Sequence, residues 1–151
     1  MFENPRLADL ASIVGEWQME LSNAAFLPGP QHTVNGQVVF AWIEEGGLIA
    51  MRQGDQATWV IGRDDQSDEY TVLYYDSRRV SRVYHMTLDN KRWRIWRNHP
   101  EFSQRYEGLI SDDDNTITSH WEKSTDGGET WNHDFDMKLS RSASSPGASR
   151  R

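Results

Sequence analysis

Apolar and polar residues alternate in short runs over most of the chain, from Gly15 to Leu139. Turn residues (Asp, Asn, Gly and Pro) interrupt these runs about every 10–12 residues. Strict alternation places one side of a strand in a core and the other in water. The pattern predicts about ten strands, near residues 15–22, 34–43, 47–53, 57–63, 69–75, 79–88, 91–98, 102–110, 115–124 and 130–140.

The ends of the chain differ from this pattern. Asn4-Pro5 predicts a helix start, with Asn as the cap and Pro in the first turn, and Leu7, Leu10, Ala11 and Val14 follow at helical spacing. The tail 141–151, RSASSPGASRR, is small and polar and predicts disorder. We therefore expect one all-β domain over residues 1–140, an antiparallel up-and-down barrel with a short N-terminal helix.

The segment WEKSTDGGETW, residues 121–131, contains two tryptophans around a predicted turn. A three-residue turn over Asp126–Gly128 would pair Lys123 with Trp131 and Trp121 with His133, with both tryptophans on one face. A two-residue turn would place them on opposite faces. The apolar alternation that follows Trp131 favours the three-residue turn, with Trp121, Trp131 and His133 inside the barrel.

Charge and composition exclude several classes of function. The chain has a net charge of −7, and residues 1–140 carry 13 bases against 23 acids, so this body should repel nucleic acid and anionic membranes. No run approaches the roughly 20 apolar residues of a membrane helix, and the N-terminus does not look like a signal peptide. The sequence has no cysteine. We predict a cytoplasmic protein without disulfides or thiol chemistry.

Several polar side chains fall on the faces that alternation predicts to be inward. They are Arg82, Tyr84, Arg97, Gln104, Tyr106, Ser119 and His133. A solid core would not hold two unpaired guanidinium groups, because burying an unpaired charge costs several kcal/mol. A hollow barrel offsets that cost when the arginines bind a carboxylate. Two alternatives are that Arg82 and Arg97 reach solvent at a barrel mouth, and that a β-bulge changes the face.

Other candidate motifs favour ordinary surface roles. The basic stretch Lys91–Arg97 alternates as a strand, so a solvated face explains it better than nucleic-acid binding, although Trp96 points outward and suggests a possible homodimer contact. The acidic turn Asp64–Asp68 lacks the glycine and glutamate of an EF-hand loop. The histidines show no paired metal-ligand spacing, so we predict no metal site.

Gly15-Glu16-Trp17, just after the predicted helix, resembles the Gly-x-Trp signature of the calycins, which include lipocalins and fatty-acid-binding proteins. The closing segment from Trp121 to Asp136 is similar to uncharacterised bacterial lipocalin-like proteins. The resemblance implies a barrel closed at one end by Trp17 and the helix, and an Arg/Tyr arrangement around a ligand carboxylate. A nitrobindin-like branch would imply haem held by His133, but the glycine-rich run of that branch is missing after Trp17.

We therefore predict a small-molecule-binding barrel that holds a hydrophobic or amphipathic ligand with a carboxylate end. The expected contacts are Arg82, Tyr84, Trp93, Arg97, Gln104, Tyr106, Ser119, Trp121, His133 and Phe135, and Trp17, Phe102, Trp131 and Met137 would extend the apolar wall. The loop Asn23–His32 would cover one mouth. Whether the chain is an enzyme stays open: the alternatives are a cyclase, isomerase or hydratase with His133 as acid/base, or a haem protein, and we otherwise predict no cofactor.

Overall fold

The computed structural model describes residues 2–142, which form a closed ten-stranded antiparallel barrel. The strands are β1 (Gly15–Ser22), β2 (Val34–Ile43), β3 (Leu48–Gln53), β4 (Ala57–Arg63), β5 (Tyr70–Asp76), β6 (Ser81–Asp89), β7 (Arg92–Arg97), β8 (Ser103–Ile110), β9 (Thr116–Ser124) and β10 (Asn132–Arg141). Each strand pairs with its neighbours in sequence, and β1 closes the ring by pairing with both β2 and β10. The predicted all-β up-and-down barrel is confirmed.

Alternation decides which side chains fill the barrel. In β6, Tyr84, Met86 and Leu88 are buried inside, whereas Val83 and His85, at alternate positions, face solvent. β8 follows the same period, with Tyr106, Gly108 and Ile110 inside. Because the side-chain period of a strand is two residues, these faces could be predicted wherever the strand is regular.

The N-terminal helix, Pro5–Ile13, closes one end of the barrel. It is a 3-10 helix, and the spacing of three residues between Leu7, Leu10 and Ile13 stacks these fully buried side chains on one face. Asn4 caps it as predicted, since its side chain accepts a hydrogen bond from the Arg6 amide at 3.0 Å. We call this the closed end.

Trp17 and Arg141 complete the closed end. The Trp17 indole is fully buried and donates from Nε1 to the Ile13 carbonyl at 2.9 Å. The Arg141 guanidinium carbon lies 4.1 Å from the centroid of the Trp17 ring. Its nitrogens donate to the carbonyls of Val14 and Ser12, at 2.6 Å each, and of Asp114 at 3.0 Å. The first strand, the last strand and the helix are thus joined at one point.

The hairpin between β9 and β10 differs from the prediction. Asn132 pairs with Lys123 and His133 with Glu122, but the register then shifts so that Phe135 pairs with Trp121. This β-bulge around Asp134 reverses the alternation within the strand. After the bulge, Phe135, Met137 and Leu139 face inward as predicted. His133, before the bulge, faces outward.

The connection that precedes the bulge is longer than the predicted three-residue turn. It spans residues 125–131, between the end of β9 and the start of β10. Asp126 fixes it by accepting from the amide and the hydroxyl of Thr130, at 2.9 and 2.5 Å. The inward and outward alternation of β10 does not extend back through the bulge into this seven-residue connection. The prediction that Trp131 lies inside is therefore wrong.

The barrel extends slightly beyond the predicted domain end at residue 140. Arg141 belongs to β10, and the Ser142 amide donates to the Glu16 carbonyl at 2.9 Å. Residues 143–151, on which most of the predicted disordered tail falls, lie outside the described residues. No helix within residues 2–142 has the length and apolarity to cross a membrane.

Candidate ligand-binding cavity

The barrel is open at the end opposite the helix, and a cavity of about 600 Å³ enters it there. Because successive antiparallel strands run in opposite directions, the loops at this open end are those that follow β1, β3, β5, β7 and β9. Those loops and the adjacent inward side chains line the cavity. Its apolar and aromatic lining comprises Met19, Leu21, Phe26, Val34, Trp59, Tyr74, Tyr84, Phe102, Trp121, Phe135 and Met137.

A cluster of aromatic rings forms the floor of the cavity. Trp59 lies at its centre, with its ring centroid 4.7 Å from that of Tyr74, 5.1 Å from Tyr84 and 6.2 Å from Trp121. Phe135 extends the cluster, 6.3 Å from Trp121. Aromatic walls with a few polar groups are typical of small-molecule sites.

Arg82 lies at the wall of this cavity, as the sequence predicts. It is half-buried, and its guanidinium carbon lies 4.9 Å from the centroid of the Phe102 ring. Within residues 2–142 no carboxylate forms an ion pair with Arg82 or with Arg97, which is also half-buried. Arg97 does not line the cavity, but it pairs with Gln104 across β7 and β8. The inner side of the open end therefore carries two uncompensated positive charges.

Tyr84 and Gln104 are joined beside Arg82. The Tyr84 hydroxyl donates to Gln104 Oε1, and both side chains line the cavity. Burial raises the pKa of Tyr84, and the guanidinium of Arg82 offsets part of that rise. Tyr84 is thus a neutral hydrogen-bonding group at physiological pH, adjacent to a cation.

The other cations at the mouth have carboxylate partners. Asp76, which is buried, accepts from Arg78 Nη2 and from the Tyr74 hydroxyl, at 2.6 Å each. The hydrogen bonds from Arg78, and then that from Tyr74, hold the pKa of Asp76 far below its usual range. Lys123 Nζ lies 3.7 Å from a carboxylate oxygen of Asp134. Arg78 and Lys123 are therefore neutralised, unlike Arg82.

The connection between β1 and β2 lies over part of the mouth. Phe26 lines the cavity, and its ring meets that of Phe135 edge to face with centroids 6.1 Å apart. Asn23 Nδ2 donates to an Asp136 carboxylate oxygen at 2.6 Å. These contacts place the predicted covering loop, Asn23–His32, at the open end.

Three predicted ligand contacts lie deeper than the cavity. Trp93 and Tyr106 are buried in the middle of the barrel, with their ring centroids 5.1 Å apart. Ser119 is also buried and donates its hydroxyl proton to the Met137 carbonyl at 2.8 Å. None of the three lines the open cavity. Trp121, Gln104, Tyr84 and Phe135 do line it.

His133, the candidate catalytic and haem-binding residue, lies on the outside of the barrel. Its side chain is 46% exposed, and Nε2 is 3.4 Å from a carboxylate oxygen of Asp136. The inward position predicted for it is wrong because of the bulge at Asp134. No histidine of the described residues lines the cavity, so the enzymatic and haem hypotheses lose the residue on which each depended.

Two residues of the predicted apolar wall also lie elsewhere. Trp131 is on the outer face, where the Arg105 guanidinium carbon lies 4.0 Å from its ring centroid and its Nε1 donates to Gly128 at 3.1 Å. Trp17 belongs to the closed end. Trp131 and Trp96 line an outer groove of about 560 Å³, whose cations are paired: Arg105 with Glu122 at 2.7 Å and Arg94 with Glu107 at 3.1 Å.

Sequence reasoning missed Trp59, Tyr74 and Asp76. Their signal is present, because Ala57, Trp59 and Ile61 share one face of β4, and Tyr74 and Asp76 share one face of β5. The cross-strand pair of Trp59 with Tyr74 then follows from register.

Within residues 2–142, no group of three or more His, Asp or Glu side chains is arranged to hold a metal ion. The cavity instead offers an aromatic surface, one neutral tyrosine–glutamine pair and an uncompensated arginine. No protein-family model matches the chain, and no curated protein shows significant sequence similarity to it.

Proposed function

We propose that this chain is a calycin-like binding protein whose open cavity holds a hydrophobic molecule with a carboxylate end. The observation that carries the proposal is the position of Arg82, a half-buried cation without a carboxylate partner in the described chain, at the wall of an aromatic cavity of about 600 Å³. Cavities that bind small molecules run from roughly 300 to 1,000 Å³.

The chemistry of Arg82 favours an anion over a neutral head group. A guanidinium in a partly dehydrated site loses hydrogen bonds to water. A carboxylate replaces them with two parallel charge-assisted hydrogen bonds. The Phe102 ring restricts the motion of Arg82 from one side, which lowers the entropic cost of forming that pair. The adjacent Tyr84 hydroxyl would contribute a further polar contact.

The lining of the cavity favours a flat, aromatic ligand body. Trp59, Tyr84 and Trp121 present their rings to the cavity at centroid distances of 5.1 to 6.2 Å from one another. A planar ligand gains offset or edge-to-face contacts with such rings in addition to area burial. The chain's net charge of −7 would slow the approach of an anion from bulk, so the affinity has to come from the local cation.

The test is calorimetric titration with a matched pair, 1-naphthylacetic acid and its primary amide. We expect the acid to bind roughly 10–100-fold more tightly than the amide, since hydrogen bonds to charged groups contribute about 1.5–3 kcal/mol. Arg82→Gln should remove that advantage and leave the affinity for the amide unchanged.

Arg52→Gln is the control, because Arg52 is exposed on β3, whose inner side is formed by Ile49 and Met51. It should bind both compounds like the unaltered protein. An equal affinity of the unaltered protein for acid and amide, or an acid preference that persists in Arg82→Gln, would refute the proposal.

A further inference from the structure

A small internal pocket of about 20 Å³ lies between the aromatic floor of the cavity and the packed core. This volume holds about one group of the size of a water molecule. The lining includes Trp59, Trp93, Tyr106 and Trp121. It therefore has room for one polar atom and not for a ring.

Three buried donors of this lining have no partner among the described residues. They are the indole Nε1–H groups of Trp59 and Trp93 and the hydroxyl of Tyr106. Trp59 is 5% exposed, Trp93 2% and Tyr106 3%. The Tyr106 hydroxyl lies near that of Ser119, but Ser119 donates its own proton to Met137 and no hydrogen bond of normal geometry joins the two hydroxyls.

Such donors are unusual, because leaving a buried polar group unpaired costs about 1–3 kcal/mol. Other tryptophans of the same chain satisfy theirs: Trp17 donates to the Ile13 carbonyl and Trp131 to the Gly128 carbonyl. Trp59 and Trp93 differ from them in lining the internal pocket. All three unpartnered donors thus belong to side chains around one small pocket.

The internal pocket adjoins the open cavity. Trp59, Trp121, Met137 and Gln53 line both, so the two spaces share part of their walls. A Cβ at position 108 would lie 2.8 Å from the Tyr106 hydroxyl oxygen, so Gly108 leaves room for that hydroxyl.

We infer that the ligand carries a hydrogen-bond acceptor, such as a carbonyl or ether oxygen, at the end opposite its carboxylate, and that Trp59, Trp93 and Tyr106 bind this acceptor. The inference rests on the proposed function and narrows its ligand class to hydrophobic acids with an oxygen at the far end. All three groups are donors, so the site selects an acceptor and disfavours an apolar terminus.

The test uses acids that differ only at the far end. The probes are 6-acetyl- and 6-ethyl-2-naphthoic acid, and the longer pair 4′-acetyl- and 4′-ethylbiphenyl-4-carboxylic acid. In at least one scaffold the acetyl acid should bind roughly tenfold more tightly than the ethyl acid. Equal affinities within both pairs would overturn the inference, and tight binding of the ethyl acids with a loss in Arg82→Gln would leave the proposed function intact.

Single variants locate the acceptor. Tyr106→Phe deletes one hydroxyl while conserving shape, and Trp93→Phe deletes one indole N–H; each should reduce the acetyl-to-ethyl affinity ratio about two- to fourfold. Tyr75→Phe is the control, because Tyr75 is 49% exposed on the outer face of β5, and it should leave the ratio unchanged. A ratio that no internal variant lowers, or that Tyr75→Phe lowers equally, would also overturn the inference.

A second measurement does not depend on the stability of these variants. In protein labelled with ¹⁵N-tryptophan, the indole N–H resonances of Trp59 and Trp93 should move further downfield with the acetyl acid than with the ethyl acid. The indole resonances of Trp17 and Trp131, which already donate to carbonyls, should stay in place. Identical indole shifts with both acids would contradict an acceptor in the internal pocket.

Discussion

Two arginines of this barrel lie over aromatic rings, one at each end, and they differ in what else they touch. Arg141 stacks on Trp17 at the closed end and donates three hydrogen bonds to main-chain carbonyls. Arg82 stacks on Phe102 at the open end and has no carboxylate partner among residues 2–142. An arginine stacked on an aromatic ring thus has a structural role at the closed end, whereas in our proposal the arginine at the open end binds a ligand.

The two ends differ in packing in the same way. At the closed end the helix side chains Leu7, Leu10 and Ile13 are fully buried. At the open end Leu21 and Phe135 are only half-buried because they line the cavity. The apolar burial at the closed end does not depend on filling the open end, so the barrel can keep its fold with one end open.

The largest expected difference compares one leucine from each end. Leu10→Ala removes a fully buried side chain and should lower the free energy of unfolding by about 3 kcal/mol or more. Leu21→Ala removes a half-buried side chain beside an existing cavity and should cost less than about 1 kcal/mol. Urea denaturation of both variants measures the two losses, and equal losses would show that the ends are packed alike.

The arginine pair gives the next effect. Arg141→Met keeps the aliphatic stem but leaves three carbonyls without their donor, so the free energy of unfolding should fall by about 2–3 kcal/mol. Arg82→Met should change it by less than about 0.5 kcal/mol, since no ion pair is lost. The same urea experiment serves, and a larger loss for Arg82→Met than for Arg141→Met would reverse our assignment of roles.

The smallest expected effect is a pH dependence at the rim of the open end. The pKa of Asp76 is lower in the folded protein than in the unfolded chain, first because of Arg78 and then because of Tyr74. Asp76 therefore contributes its full stabilisation at pH values above its pKa in the unfolded chain, about 4. That stabilisation is lost as the pH falls toward the lower pKa of Asp76 in the folded protein.

Asp76→Asn should consequently remove part of the acid sensitivity. Between pH 5 and pH 3 the urea midpoint of the unaltered protein should fall more than that of Asp76→Asn. Asp55→Asn changes an exposed carboxylate in the turn after β3 and should behave like the unaltered protein. Parallel pH profiles for all three proteins would show that Asp76 does not hold the rim.

The contrast between the ends also explains what could be predicted from the sequence. Alternation fixed the strands and put Arg82, Tyr84, Gln104 and Trp121 on the inner side, and the structure confirms those positions. The helix start at Asn4-Pro5 was predictable because capping is local chemistry. These features depend on short-range pattern alone.

The errors have one physical source. The alternation of β10 predicts His133 and Trp131 inside only if it is extended backward across a bulge and a seven-residue connection. A bulge adds one residue to the strand and so exchanges the inward and outward positions on either side of it. No residue type around Asp134 marks the bulge in the sequence. The depth of Trp93, Tyr106 and Ser119 relative to the cavity depends on how tightly ten strands pack around their side chains, which is a property of the closed barrel and not of any one strand.

The central claim is that a carboxylate binds to Arg82 inside the open end. A crystal structure of the protein with 1-naphthylacetic acid tests it most directly. We predict the naphthyl ring against Trp59 and Trp121, with the carboxylate oxygens within hydrogen-bond distance of the Arg82 guanidinium. Two results would contradict the account. In one, the acid binds in the outer groove between Trp96 and Trp131. In the other, it binds in the cavity with its carboxylate away from Arg82.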